Sequence, residues 1–220
     1  MKVIELNKSV TSSNDRDADA LREEMRQNGT LLINLMSSPG SGKTTLLGKT
    51  VTDLKKELKI GVLEADIASD VDAKTMEDLG ARSIQAHTDG MCHMDAGMTR
   101  RALEAMGHDD LDLIFLENVG NLICPAEFDT GSGKNVMILS VPEGDDKPLK
   151  YPLMFEQSDV LVITKTDVLS YFDFDLKKCR ERARKLNPKI QIFPVSAVSG
   201  AGMNAWEEWL KQAVSSWKNT

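Results

Sequence analysis

Ser37-Ser38-Pro39-Gly40-Ser41-Gly42-Lys43-Thr44 is the stretch whose residue types and spacing point most directly to chemistry. It follows the pattern Gly-x-x-x-x-Gly-Lys-Ser/Thr, with Ser37 at the first glycine position. An apolar run, Leu31 to Met36, precedes it, and helical spacing begins at Thr44. That is the strand–loop–helix context a phosphate-binding loop requires. Gly40 and Gly42 let backbone N–H groups turn inward onto phosphate oxygens, and Ser41 and Thr45 belong to the same cradle. Lys43 is expected to reach the β- and γ-phosphates and to act in catalysis, and Thr44 to ligate Mg²⁺ through its hydroxyl. The helix N-terminus adds favourable partial charge. The bland alternative is a glycine-rich turn that happens to precede Lys-Thr.

Further groups fall where such a loop would need them. Leu111 to Leu116 reads as a buried strand and ends in Glu117-Asn118-Val119-Gly120. Glu117 is placed to hold the Mg²⁺ shell, and Gly120 to offer its N–H to a γ-phosphate. Asp66, Asp70 and Asp72 form an acidic loop after the second strand. Asp66 is expected near Mg²⁺, whereas Asp70 or Asp72 is equally readable as a helix cap. Thr164-Lys165-Thr166-Asp167 resembles the guanine-reading Asn-Lys-x-Asp element of GTPases, with Thr164 in place of Asn. The Asp167 carboxylate would accept from both N1–H and the exocyclic amine of guanine, a donor pair adenine lacks. The stem of Lys165 would cover the base. Ser196-Ala197 resembles the last GTPase element, where a backbone N–H meets the guanine carbonyl.

A second kind of chemistry is suggested by Cys92-His93 and by Cys124. Thiolate and imidazole together suit Zn²⁺ or Ni²⁺. Three donors per chain leave a tetrahedral site incomplete, which implies a water, an open position or ligands from a second subunit. On spacing alone the blander reading is favoured, in which each cysteine is simply a small apolar residue. Met91, Met94 and Met98 read as core or interface fillers, His87 as a structural histidine in an apolar strand, His108 as a surface loop residue, and Cys179 as incidental.

These groups need a scaffold, and the chain supplies one. Apolar runs at Leu31–Met36, Ile60–Leu63, Ser83–His87, Leu111–Leu116, Val136–Val141, Val160–Thr164 and Ile190–Val195 alternate with helical patterns at Thr44–Leu58, Ala73–Leu79, Met94–Met106, Leu176–Leu186 and Ala205–Ser215. Short buried strands alternating with helices predict an α/β fold with a mainly parallel sheet flanked by helices. Ser12 to Asp19 is polar and reads as a flexible arm or a helix start, and Asp19 to Gln27 reads as a short helix stopped by Asn28-Gly29. The expected division is an arm and short helix over 1–28 and a P-loop GTPase domain over 29–220. At 220 residues the chain fits one large domain. A net charge of −7, without a basic stripe, argues against nucleic acid. Three cysteines argue for a reducing compartment. No apolar run reaches the length of a signal peptide or membrane span. The expected location is the cytoplasm.

Three segments together carry a family resemblance: Ser38-Pro39-Gly40-Ser41-Gly42-Lys43-Thr44-Thr45-Leu46, Cys92-His93-Met94-Asp95-Ala96, and Glu117-Asn118-Val119-Gly120-Asn121-Leu122-Ile123-Cys124-Pro125. The chain resembles, from about Leu21 onward, the HypB family of GTPases that assist nickel insertion into nickel–iron hydrogenase. The Cys-Pro-His element of the related urease GTPase is absent. The resemblance implies a P-loop G-domain and makes Cys92, His93 and Cys124 the metal ligands, near a GTP-dependent homodimer interface. It implies nickel as cargo, zinc as an alternative occupant, and a hydrogenase-maturation partner and the hydrogenase large subunit as partners. Some members add an N-terminal Cys-rich site or His-rich tract. Here no Cys precedes Cys92 and no His precedes His87, which puts nickel storage in doubt. No arginine finger is visible, so slow intrinsic turnover is expected. The rival functions are a small-molecule P-loop kinase and a non-catalytic nucleotide-switched scaffold. Arg180 to Lys185 is basic, but it lies after the base-reading element, where a kinase lid is not expected.

Overall fold

A computed structural model describes residues 7–66, 71–88 and 90–219; of residues 7–11, 66, 71 and 72 it describes the backbone alone. Seven strands are present among them: β1 (Leu31–Ser37), β2 (Ile60–Asp66), β3 (Arg82–His87), β4 (Leu113–Glu117), β5 (Lys134–Ser140), β6 (Val160–Thr164) and β7 (Gln191–Pro194). They form one sheet in the order β3-β2-β4-β1-β5-β6-β7, with every neighbouring pair parallel. The helices are α1 (Asn7–Gln27), α2 (Lys43–Leu54), α3 (Val71–Leu79), α4 (Ala96–Met106), α5 (Cys124–Glu127), α6 (Lys147–Lys150), α7 (Pro152–Glu156), α8 (Leu176–Leu186) and α9 (Met203–Lys218).

The strands read as continuous apolar runs because both faces of the sheet are covered. Side chains alternate between two cores: Val136 and Ile138 of β5 enter the larger one, Met137 and Leu139 the smaller. β6 divides in the same way, with Val160 and Val162 opposite Leu161 and Ile163. A parallel sheet brings all carboxyl ends of its strands to one edge. Loops leaving that edge beside the central strand are where ligands bind in such folds. The phosphate loop follows β1, which lies between β4 and β5.

Several expectations need correction. The polar stretch Ser12–Asp19 lies within α1, which runs from Asn7 rather than from Asp19. Ala18, Leu21 and Met25 are buried along one helical stripe, and tertiary packing overrides the weak local preference of the Ser-Ser-Asn-Asp run. His108 is not a surface residue: it is buried, with Nδ1 3.2 Å from the Leu103 carbonyl, closing the turn after α4. His87 ends the edge strand β3 and is exposed rather than set in a core. Cys179 lies in the smaller core, where burial pushes its thiol up to about 12.

All three tryptophans lie on α9. Trp206 and Trp209 stack at 5.3 Å. The Trp206 indole N–H donates to Thr50 Oγ1 of α2 at 3.1 Å, and that of Trp217 donates to the Met25 carbonyl of α1 at 3.4 Å.

Candidate functional site

The phosphate loop is built almost wholly from main chain. Gly40 and Gly42 take φ values of +73° and +91°, a region costly to any residue with a Cβ. Gly42 precedes α2 with no side-chain cap, so the first N–H groups of that helix are left for a ligand. Ser37 needs no such freedom, because it is still part of β1. Its buried hydroxyl donates to the Ser38 carbonyl at 2.8 Å and accepts from Ser41 Oγ at 2.7 Å and Lys43 Nζ at 2.9 Å. A serine at the first glycine position therefore braces the loop. Lys43 Nζ also lies 3.9 Å from Glu117 Oε1.

A cavity of about 560 Å³ opens over this loop and is bounded by Lys43, Thr44, Glu64, Glu117, Asn118 and Gly120. Next to it is a slot of about 190 Å³ walled by Thr45, Lys165, Asp167, Ala197 and Val198. Both share Gly42, Thr45 and Lys165, so the phosphate loop and the loop after β6 frame one continuous depression. Thr164 explains its own departure from Asn: its hydroxyl donates to the Ser41 carbonyl at 2.6 Å. Lys165 Nζ donates to the Gly40 carbonyl at 2.8 Å, from a left-handed backbone at φ 59°. Ser196 does not line the slot. Its N–H is bonded to the Ala201 carbonyl at 2.8 Å and its hydroxyl accepts from Ser199 N at 3.1 Å. It shapes the turn that presents Ala197.

Asp66 ends β2 beside His87 in the sheet register; its side chain, Asp70 and the side chain of Asp72 lie outside the described residues. Glu64 is a group that sequence reading misses. It sits opposite Glu117 in the β2–β4 register, and both are buried at the cavity. Two buried carboxylates beside Lys43 and the Thr44 hydroxyl fit a divalent cation with oxygen ligands. Its only sequence signal is a charge within an otherwise apolar strand.

Cys92, His93 and Cys124 come together, their ligand atoms all within 4.8 Å of one another. Cys92 and His93 occupy the turn between β3 and α4, with Met94 between them and Asp95, whose carboxylate caps α4 by accepting from Met98 N at 2.7 Å. Cys124 opens α5. The buried His93 ring stacks on Phe128 at 3.9 Å and 13°. Burial holds its imidazole below the ordinary pKa, which favours the neutral, ligating form. The Cys92 thiol is raised, first by its hydrogen bond with Cys124 and then by burial. Met91 and Ile123, both exposed, flank the two cysteines in sequence. Two sulfurs and one imidazole, with Cys92 exposed, suit a borderline transition metal with an open side.

The two sites share a loop. Asn118, at the cavity wall, accepts through Oδ1 from Met94 N at 3.2 Å and Val119 N at 2.9 Å, and donates through Nδ2 to Asn34 Oδ1 at 3.0 Å. Asn121 accepts from Ile123 N at 2.8 Å and reaches the Cys92 carbonyl at 3.5 Å. Gly120 lies so close to the phosphate loop that a Cβ there would stand 3.0 Å from Pro39 Cγ. The segment from Glu117 to Cys124 therefore touches phosphate loop and thiol cluster alike.

Comparison with known proteins agrees with this geometry. Residues 31–194 match the family described as CobW/HypB/UreG, nucleotide-binding domain. The hydrogenase maturation factor HypB of Rhizobium leguminosarum bv. viciae is 43% identical over 210 residues, covering 96% of this chain and 70% of that protein. The crystal structure of HypB from Helicobacter pylori in complex with nickel is 36% identical, with a TM-score of 0.87 over 93% of this chain and 96% of that one. HypB from Archaeoglobus fulgidus is 35% identical, with a TM-score of 0.86 over 92% of this chain and 99% of the other. The chain belongs to the CobW/HypB/UreG nucleotide-binding family and, within it, to the HypB hydrogenase maturation factors.

Proposed function

We propose that this protein is a Mg²⁺-dependent GTPase that couples GTP binding, hydrolysis and homodimerisation to nickel delivery during maturation of nickel–iron hydrogenase. One observation carries the reading: the segment Glu117–Cys124 begins in the phosphate cavity and ends in the cluster of two thiols and an imidazole. Guanine is read in the slot by the Asp167 carboxylate, with Lys165 over the base and an N–H at Ala197 toward the carbonyl. Gly40, Ser41, Gly42 and Thr45 cradle the phosphates. Lys43 neutralises charge that develops on the transferring phosphoryl group. Thr44, Asp66 and Glu117 hold Mg²⁺, which when bound withdraws charge from the β- and γ-phosphate oxygens. Asp66 and Glu117 also orient water. The water oxygen bonds to the γ-phosphorus as the bond to the β–γ bridging oxygen breaks, leaving GDP and inorganic phosphate. Gly120 senses the departing γ-phosphate, and its loop carries the change to Cys124.

Nickel is the cargo at Cys92, His93 and Cys124, and zinc competes for the same donors. Three donors per chain are completed or shared when GTP joins two copies. The delivery partners are a hydrogenase-maturation protein and the hydrogenase large subunit, met in the cytoplasm. No helix among the described residues is long and apolar enough to cross a membrane.

Calorimetric titration of Ni²⁺ with a non-hydrolysable GTP analogue and with GDP tests the reading. Different affinities are expected, and linkage requires that nickel change the affinity for each nucleotide reciprocally. Equal affinities in the two states would reduce the cluster to a passive site and overturn the coupled mechanism.

A further inference from the structure

The two segments that carry the metal donors meet a third element, α1, part of which the sequence presents as a polar arm. Asn14, on α1 and half-buried, accepts through Oδ1 from the Ala96 N–H at 3.0 Å and donates through Nδ2 to the Asp129 carbonyl at 2.8 Å. Ala96 opens α4, three residues after His93. Asp129 follows Phe128, the residue stacked on the His93 ring, and lies just beyond the short helix that Cys124 begins. One planar amide thus spans both halves of the donor set. Two turns further along α1, Arg22 pairs with both Asp129 carboxylate oxygens at 2.7 and 2.5 Å and donates through Nε to the Ser132 carbonyl at 2.9 Å. Farther from the cluster, Glu24 of α1 pairs with Arg100 of α4.

We propose that Asn14 is a positioning residue of the metal centre, holding the segment 92–96 at a set distance from the segment 124–129. The proposal rests on Cys92, His93 and Cys124 being metal donors. Three donors drawn from two loops gain affinity only if the loops are held before the ion arrives, because ordering them otherwise costs free energy at the moment of binding. An amide suits the task, since it pairs an acceptor with a donor in one rigid plane. An aspartate in its place would keep the bond from Ala96 but set a carboxylate against the Asp129 carbonyl. Backbone N–H and C=O groups held by one side chain act on ligand geometry as outer-shell partners do.

The test compares the wild type with Asn14→Ala, Asn14→Asp and Glu24→Ala. Co²⁺ and Ni²⁺ affinities are measured by calorimetry, and the ligand-field and sulfur-to-metal absorption bands of the Co²⁺ form are recorded. Amide hydrogen exchange at Ala96 is followed in metal-free protein, and GDP affinity and melting temperature are measured throughout. Asn14→Ala is expected to lower metal affinity about tenfold, the low end for an outer-shell partner, to alter the Co²⁺ bands, and to speed exchange at Ala96. GDP affinity stays unchanged. Asn14→Asp is expected to lose metal affinity while protection at Ala96 persists. Glu24→Ala removes an ion pair of the same helix, and is expected to lower the melting temperature without moving metal affinity or spectrum. Wild-type affinity and bands in Asn14→Ala overturn the proposal and leave the metal reading standing. Loss of affinity in Glu24→Ala equal to that in Asn14→Ala also overturns it, because general loosening of α1 would then suffice. A wild type that takes up no metal ends the metal reading and this proposal together.

Discussion

The phosphate cradle and the cysteine–histidine cluster open from the same edge of the sheet but are made from different materials. The cradle is a run of consecutive residues that offers its main chain, braced by Ser37 and tied by Thr164 and Lys165 to the loop after β6. The cluster is three side chains on two loops, kept in place by residues from elsewhere: Phe128 against His93, Asn118 under Met94, and Asn14 between Ala96 and Asp129. A main-chain site is robust to most single changes outside its glycines and its lysine. A side-chain site on loops has no spare donor, and it depends on contacts that are remote in sequence.

The sharpest break is expected within the cradle. Lys43→Ala removes the loop's own cation, and phosphate release should fall at least about 100-fold, as when a single transition-state donor is lost. Because Lys43 Nζ meets Ser37 and Glu117 at the cavity rather than the core, a circular-dichroism melt should match the wild type. Normal turnover would end the phosphate-loop assignment. Next comes Cys124→Ala. With one of three donors gone, Ni²⁺ affinity should drop about 100-fold or more, at or beyond the range for outer-shell partners, while GTP affinity holds. A variant that loses GTP together with nickel would show that the two sites are not separately built. Asp167→Asn should cost about 1–3 kcal/mol of GTP binding, the penalty for facing paired donors with a donor, and shift preference toward xanthosine nucleotides. Competition with GTP, ATP and XTP reads this out, and equal wild-type binding of ATP and GTP would refute the guanine assignment. The smallest effect belongs to Thr164→Val. It leaves the Ser41 carbonyl without its 2.6 Å partner and should weaken GDP binding by about 1 kcal/mol. If GDP affinity does not move, the tie between the two loops contributes nothing to binding.

Contiguity also decides what can be read without the structure. Gly40, Gly42, Lys43 and Thr44 announce themselves because a motif of consecutive residues carries its own spacing. The parallel sheet is legible because strands covered on both faces must be apolar throughout. The short helices α5, α6 and α7 are not, since four or five residues carry no period. Glu64 escapes notice for the opposite reason: one charge inside an apolar strand has meaning only once β2 is set beside β4 and Glu117. Cys92 and Cys124 read as small apolar residues on spacing alone, because what joins them is the sheet order that places β2 between β3 and β4. Asn14 reads as part of a polar arm, and its partners at Ala96 and Asp129 lie far along the chain. His108 misleads because a polar residue between Gly107 and Asp109 resembles a loop tip until its ring is seen closing the turn after α4.

The placement of the tryptophans has a consequence for how the molecule can be watched. Trp206 is hydrogen-bonded to Thr50 in the middle of α2, the helix whose first residue is Lys43, and Trp217 is hydrogen-bonded to Met25 near the end of α1. One indole therefore reports on the helix that follows the phosphate loop, and the other on the helix that is hydrogen-bonded to the segments next to the thiols. Trp206 and Trp209 are stacked, so Trp209→Phe combined with Trp217→Phe isolates the first signal, and Trp209→Phe combined with Trp206→Phe isolates the second. Light emitted from a single helix, α9, can then time the arrival of nucleotide in one variant and any shift of α1 in the other, without an added label, and show which comes first.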